Sequence, residues 1–259
     1  MQAFNFQSPA SLADVSRAAA SGAKILAGGQ SLLPSMRLGL AQPDALVELA
    51  PLGDLKGISV QGGVVRIGAM TTHGEVAASP DVAKAIPALS HLAAHIGDRQ
   101  VRNRGTLGGS LANADPAACY PAAVLGLGAT VHTDRRDIAA DDFFKDLYTT
   151  ALAEDEVITA VSFPVPEKAG WQKFKQPASR FSLVGVFVSK GPKGVRVAVT
   201  GAASCAFRAT SLESRLASNY SAAALAGATV PSEGLSTDLH GSAQYRAALI
   251  PVLAARAVG

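Results

Sequence analysis

The sequence predicts an α+β chain of three successive units, and three stretches carry that expectation. Residues 8–50 alternate helical and strand patterns. "GISVQGGVVRIGA" joins two short strands about a glycine turn, and three β-rich runs follow one another from Trp171 onward with only short turns between them. Strand–helix–strand alternation favours a small parallel sheet, whereas closely spaced strands favour antiparallel ones.

Each element has its own local reason. In "SPASLADVSRAAASG", Ser8 and Ser11 are cap-type residues before a helical run that Gly22 stops. "KILAG" is a short buried strand, "SLLPSMRLG" a short helix opening at Ser31, and "ALVEL" the next strand. Gln61-Gly62-Gly63 makes the hairpin turn. "AIPALSHLAAHI" is an apolar helix, and "ATVHT" and "EVITAVSFPVP" are strands. Pro164 and Pro166 mark a boundary, which sets the units at 1–52, 53–165 and 166–259. "WQKFKQ", "SLVGVFVSK" and "GVRVAVTGAA" then form an antiparallel sheet, and two or three helices follow, the last being "SAQYRAALIPVLAARAV".

Composition narrows the function. The 259 residues are 48% hydrophobic and 17% charged, a globular balance rather than a disordered one. A formal charge of +3, with basic residues scattered outside "DRQVRNRG", argues against nucleic acid as partner. No run of about 18 apolar residues offers a transmembrane helix, and "MQAFNFQSPASLADV" has no secretory pattern, so the expected location is cytoplasmic. Cys119 and Cys205 make no disulfide framework and are too few to ligate an iron–sulfur cluster.

Two glycine pairs carry the chemistry. "KILAGGQSLLPSM" and "GTLGGSLANADPA" each place Gly-Gly before a small polar side chain. A strand that ends in Gly-Gly and runs into a helix aims several backbone N–H groups into one hollow, which suits phosphate. The first stretch has that layout from Ala27 through Gly28, Gly29 and Gln30 to Ser31 and Leu32. The second offers Thr106, Gly108, Gly109 and Ser110. Two such hollows can grip the two phosphates of a dinucleotide. Neither has the spacing of a Rossmann turn or a P-loop.

"AGGQSLLPSMRL" followed by "GDRQVRNRGTLGGSLANADPAACYPAA" resembles the FAD-binding subunit of molybdenum hydroxylases, as in carbon monoxide dehydrogenase and xanthine dehydrogenase. The likeness continues through "IGAMTTH", "DFFKDLYTTALAEDEVI", "FKQPASR" and "DLHGSAQYR", and so covers nearly the whole chain. It implies a two-part FAD-binding domain of the PCMH type over 1–165 and a C-terminal domain over 166–259. It also implies an FAD pyrophosphate between the two glycine stretches. Lys175 matches a family lysine near the flavin ring, where positive charge stabilises the reduced isoalloxazine. Ile158 stands at an aliphatic contact. Ile96 replaces a phenylalanine that stacks on the flavin in xanthine dehydrogenases, and Cys119 replaces an aspartate. The implied partners are a small subunit with two [2Fe–2S] clusters and a large molybdopterin subunit, in a dimer of heterotrimers.

Other groups carry two readings each. Thr71 or Thr72 can bond the cofactor or, for Thr72, cap a helix. Asn113 and Asp115 can bond a ribose or their own loop. His91 and His95 have metal-ligand spacing but no clear third ligand, and structural roles are favoured. Arg99, Arg102 and Arg104 read as a solvated loop or as partners for an acidic neighbour. Trp171 reads as core. No acid–base pair or catalytic triad stands out, and no metal site is expected. A self-sufficient FAD-dependent oxidoreductase is the alternative, although Gln30 stands where a covalent-flavin histidine would. A flavin-free scaffold is a third reading, against which the intact glycine pairs argue.

Overall fold

The computed structural model describes residues 2–259. The first unit holds β1 (Asn5–Gln7), α1 (Leu12–Ala20), β2 (Lys24–Leu26), α2 (Leu32–Arg37) and β3 (Ala45–Glu48). β3 is central and parallel to both β1 and β2, as the strand–helix alternation predicts. Ser11 caps α1 through its hydroxyl, which accepts from the Asp14 N–H. Ser8 instead donates to the Glu48 carboxylate at 2.7 Å. The exposed edge strand β1 has no apolar pattern, so the sequence gives no sign of it.

The second unit begins with β4 (Ile58–Gln61) and β5 (Val64–Gly68). Gly62 and Gly63 join them and both have positive φ, the conformation that a two-residue hairpin turn of the right twist requires. Helices α3 (His73–Ala78), α4 (Pro80–Ala85), α5 (Pro87–Ala94), α6 (Arg99–Arg104), α7 (Leu107–Asn113) and α8 (Tyr120–Leu127) follow. After them come β6 (Thr130–Thr133), β7 (Asp137–Ala139), α9 (Ala140–Phe143), β8 (Phe144–Asp146), β9 (Thr149–Thr150) and β10 (Ile158–Pro164). The main sheet is antiparallel, in the order β4-β5-β10-β6-β7. Where "DRQVRNRG" reads as a loop, the structure has α6. The Asp98 carboxylate caps it by accepting from the Val101 N–H at 2.8 Å.

The third unit is the antiparallel sheet of β11 (Lys168–Lys175), β12 (Ser182–Gly191), β13 (Gly194–Thr200) and β14 (Phe207–Arg208), with α10 (Thr210–Ser218) and α11 (Ala243–Val258) on one face. Its other face meets α8, whose eight residues are all buried. The largest apolar core therefore runs across residue 165: Trp171, Phe187 and Ala198 pack in one cluster with Tyr120, Val124 and Phe163. Trp171 is core, as expected, 3% exposed and beside Phe187. A smaller, separate core holds the first unit, where Val15, Val47 and Leu52 meet Leu55, Met70 and Val157. Among the described residues no helix is long and apolar enough to cross a membrane.

Candidate functional site

The first glycine stretch leaves the carboxyl end of β2, the position at which open parallel sheets offer ligands a crevice. Gly29 has φ +74°, and α2 begins where Leu33 N–H bonds the Gly29 carbonyl. The backbone N–H groups of Gly28, Gly29, Gln30, Ser31 and Leu32 have no acceptor among the described residues. Ser31 occupies the cap position of α2, but its side chain makes no capping bond. Five successive amide donors and a hydroxyl thus stand together in one turn, a donor set that fits a phosphate-bearing ligand.

The second stretch works differently. Leu107 N–H bonds the Thr71 carbonyl at 3.1 Å and Gly108 N–H the Ala69 carbonyl at 2.8 Å. Gly109 N–H bonds Thr106 Oγ1 at 3.2 Å, and Ser110 N–H bonds the Thr106 carbonyl at 3.0 Å. These N–H groups already serve the fold, so this stretch has hydroxyls rather than amides to offer. What remains there to face a ligand is the Thr106 hydroxyl hydrogen and the Ser110 hydroxyl.

The two stretches touch. A Cβ on Gly28 would lie 2.0 Å from the Arg104 carbonyl oxygen, and one on Gly109 would lie 3.1 Å from the Ala27 Cβ. Both glycines let one loop seat against the other, a role the sequence does not reveal. Gly108 likewise seats α7 on Ala69, where a Cβ would come within 2.6 Å.

Several of the remaining candidates have local partners of their own. Thr71 is 2% exposed, and its hydroxyl donates to the Gly57 carbonyl and accepts from the Gly57 N–H, a structural task. Thr72 caps α3 in a reciprocal pair with Glu75. Ile96 is half-buried at the end of α5, and its carbonyl accepts from Arg102. Asn113 ends α7, and just beyond it Asp115 Oδ1 accepts from the Ala117 N–H at 2.8 Å. Ile158 is buried at the start of β10. Lys175 is exposed at the end of β11, beside a bulge. The lysine that reaches across is Lys173, which donates to the His95 carbonyl at 3.0 Å and to Cys119 Sγ at 3.3 Å. Its place two residues before Lys175 was the only signal available. His91 and His95 meet edge to face at 4.3 Å. Among the described residues no three His, Cys, Asp or Glu side chains cluster to hold a metal.

His73 lies under the second stretch. Its N–H bonds the Gly105 carbonyl at 2.9 Å, its ring centre is 5.3 Å from that of Tyr120, and its buried Nδ1 has no partner. Burial, with the Arg102 charge second, pushes its pKa down to about 4. The unfolded chain then binds this proton more readily than the folded one. The stability tied to His73 is complete above about pH 6.5 and drains away as pH falls toward 4. The ion-paired Glu156, held down to about 2 by Arg136, adds its own loss only below about pH 4.5. Urea midpoints measured across pH 4–6.5 should fall with acid in the native chain and flatten in His73→Phe. An unchanged slope would exclude this residue as the source.

Comparison with known proteins accords with this geometry. A model of the FAD binding domain in molybdopterin dehydrogenase matches residues 2–166. The nicotine 6-hydroxylase medium subunit of Paenarthrobacter nicotinovorans is 38% identical, over 100% of this chain and 97% of its own. The carbon monoxide dehydrogenase medium chain of Hydrogenophaga pseudoflava is 35% identical, over 92% and 88%. The crystal structure of quinoline 2-oxidoreductase from Pseudomonas putida 86 superposes with a TM-score of 0.88 at 34% identity, covering 99% of this chain and 96% of that one. The chain therefore belongs to the family of FAD-binding domains of molybdopterin dehydrogenases: it is an oxidoreductase component, and its cofactor is FAD.

Proposed function

We propose that the chain is the electron-transfer subunit of a heterotrimeric molybdenum hydroxylase, receiving electrons from [2Fe–2S] clusters of a small subunit and passing them to an external acceptor. A large molybdopterin subunit oxidises the substrate, and two heterotrimers pair in the cytoplasm. The observation that carries this reading is the contact of the two glycine stretches around five free amide donors. FAD, when bound, supplies a carrier that takes electrons singly or in pairs.

The chain's own residues then have assigned tasks. Ala27–Leu32 hold the pyrophosphate through backbone N–H groups, and Thr106 and Ser110 add hydroxyls from the facing wall. Gly108 and Gly109 keep that wall close. Asn113 and Asp115 serve the adenosine half, and Ile96, Ile158 and Lys175 border the flavin ring, with Thr71 fixing the strand end beneath. The family match ending at residue 166 supports a division into 1–165, itself split at 52, and 166–259. Medium subunits named for nicotine and carbon monoxide resemble this one along most of their length. Different substrates on so similar a chain favour a substrate site in another subunit.

The test is stopped-flow absorbance. In the assembled complex, substrate should reduce the clusters first and the flavin after them. In the isolated chain substrate should leave the flavin oxidised, while dithionite reduces it. Direct reduction of the isolated chain by substrate would overturn the outlet model in favour of a self-sufficient oxidoreductase.

A further inference from the structure

We infer that Tyr148, paired with Asp115, is a binding residue for the adenosine half of FAD. The inference rests on the reading of the glycine crevice given above. Leu147 and Tyr148 form the tip of the β8–β9 hairpin, and the tip is firmly held. Leu147 N–H donates to Asp146 Oδ1 at 2.8 Å, and the Thr149 hydroxyl donates to the Leu147 carbonyl at 3.0 Å. Tyr148 has φ +51°. That conformation suits glycine or asparagine at a hairpin tip, and a bulky aromatic residue adopts it only under constraint. Burial does not compensate, because Tyr148 is 58% exposed. The fold alone gives no reason for an aromatic ring there.

Its partner is half prepared. Asp115 Oδ1 is fixed by the Ala117 N–H, whereas Oδ2 has only the Tyr148 hydroxyl, at a long 3.5 Å. One carboxylate oxygen and one phenol, neighbours at that distance, therefore keep bonding capacity. Beside Asp115, Ala114 has φ +45°. Of the three non-glycine residues with positive φ among the described residues, two thus bracket this carboxylate. The location suits a nucleotide as well. Thr106 opens α7 at the proposed pyrophosphate, the seven residues of α7 span about 10 Å at about 1.5 Å each, and Asp115 follows just past the helix end, a reach comparable with a nucleotide's own length. A ribose offers hydroxyl donors to a carboxylate, and a purine offers a face to an aromatic ring.

The experiment uses the full chain freed of flavin, with FAD, FMN and ADP titrated calorimetrically. Tyr148→Asn removes the ring but tolerates the left-handed backbone. It should weaken FAD and ADP alike by about tenfold or more, the worth of one base–aromatic contact. FMN binding should not change, and the flavin-free chain should melt no earlier than the native one. Native affinity of Tyr148→Asn for both FAD and ADP would overturn the inference. So would a native chain that takes FAD but not ADP. A native chain that takes neither would overturn the crevice reading itself.

Discussion

Gly28→Val should strip the chain of FAD and lower its melting temperature at the same time. The new Cβ would stand 2.0 Å from the Arg104 carbonyl oxygen and 2.9 Å from the Gly105 Cα. Both neighbours are backbone, so no side chain can swing aside. Overpacking of this kind costs about 1–3 kcal/mol where the surroundings can shift, and here the shift parts the two loops. Moving the amides of Gly28–Leu32 away from Thr106 and Ser110 separates the donors that a pyrophosphate would share. A displacement worth about 3 kcal/mol weakens binding roughly a hundredfold. The flavin-to-protein absorbance ratio and a thermal melt measure the two effects. The structure joins the two outcomes, and full flavin content with an unchanged melt would refute it.

Arg246→Ala should destabilise the C-terminal sheet by about 2–4 kcal/mol, because two buried carbonyls lose their donor at about 1–3 kcal/mol apiece. Arg246 is 3% exposed on α11. Its Nη1 donates to the carbonyls of Leu183 at 2.8 Å and Gly201 at 2.7 Å, and Nη2 donates to Asp238 at 2.7 Å. Asp238 is half-exposed, so water can replace that bond. The two carbonyls lie on buried residues and would keep no such substitute. Calorimetric melting of the variant should show the loss, while FAD content at low temperature stays near native because the glycine crevice is elsewhere. A melt within about 1 kcal/mol of native would show that the carbonyls find other donors.

What the sequence disclosed was local. The β4–β5 turn was readable because Gly62-Gly63 decides it within two residues, and Thr72 because a cap and its Glu75 lie three apart. α8 was not readable as an amphipathic helix, since "YPAAVLGL" is apolar on every side and carries no periodic signal. α6 looked like loop because its basic composition hid the Asp98 cap. For the site, both glycine pairs were visible, but their division of labour was not. Whether an amide faces a ligand or the Thr71 carbonyl depends on a strand end far away in sequence. Lys173 and Tyr148 escaped for the same reason, since only the tertiary fold brings them to Cys119 and Asp115.

The separate small core of the first unit bears on which part of the molecule opens first. The second and third units share one continuous interior through α8, so opening between them would expose the largest apolar surface in the molecule. The first unit is joined to the rest through the modest cluster around Leu55, Met70 and Val157. Partial opening is cheapest where the fewest apolar groups must be wetted. Residues around the Val15, Val47 and Leu52 cluster should therefore part from the rest before the sheet of β11–β14 parts from α8, and amide exchange should be faster there.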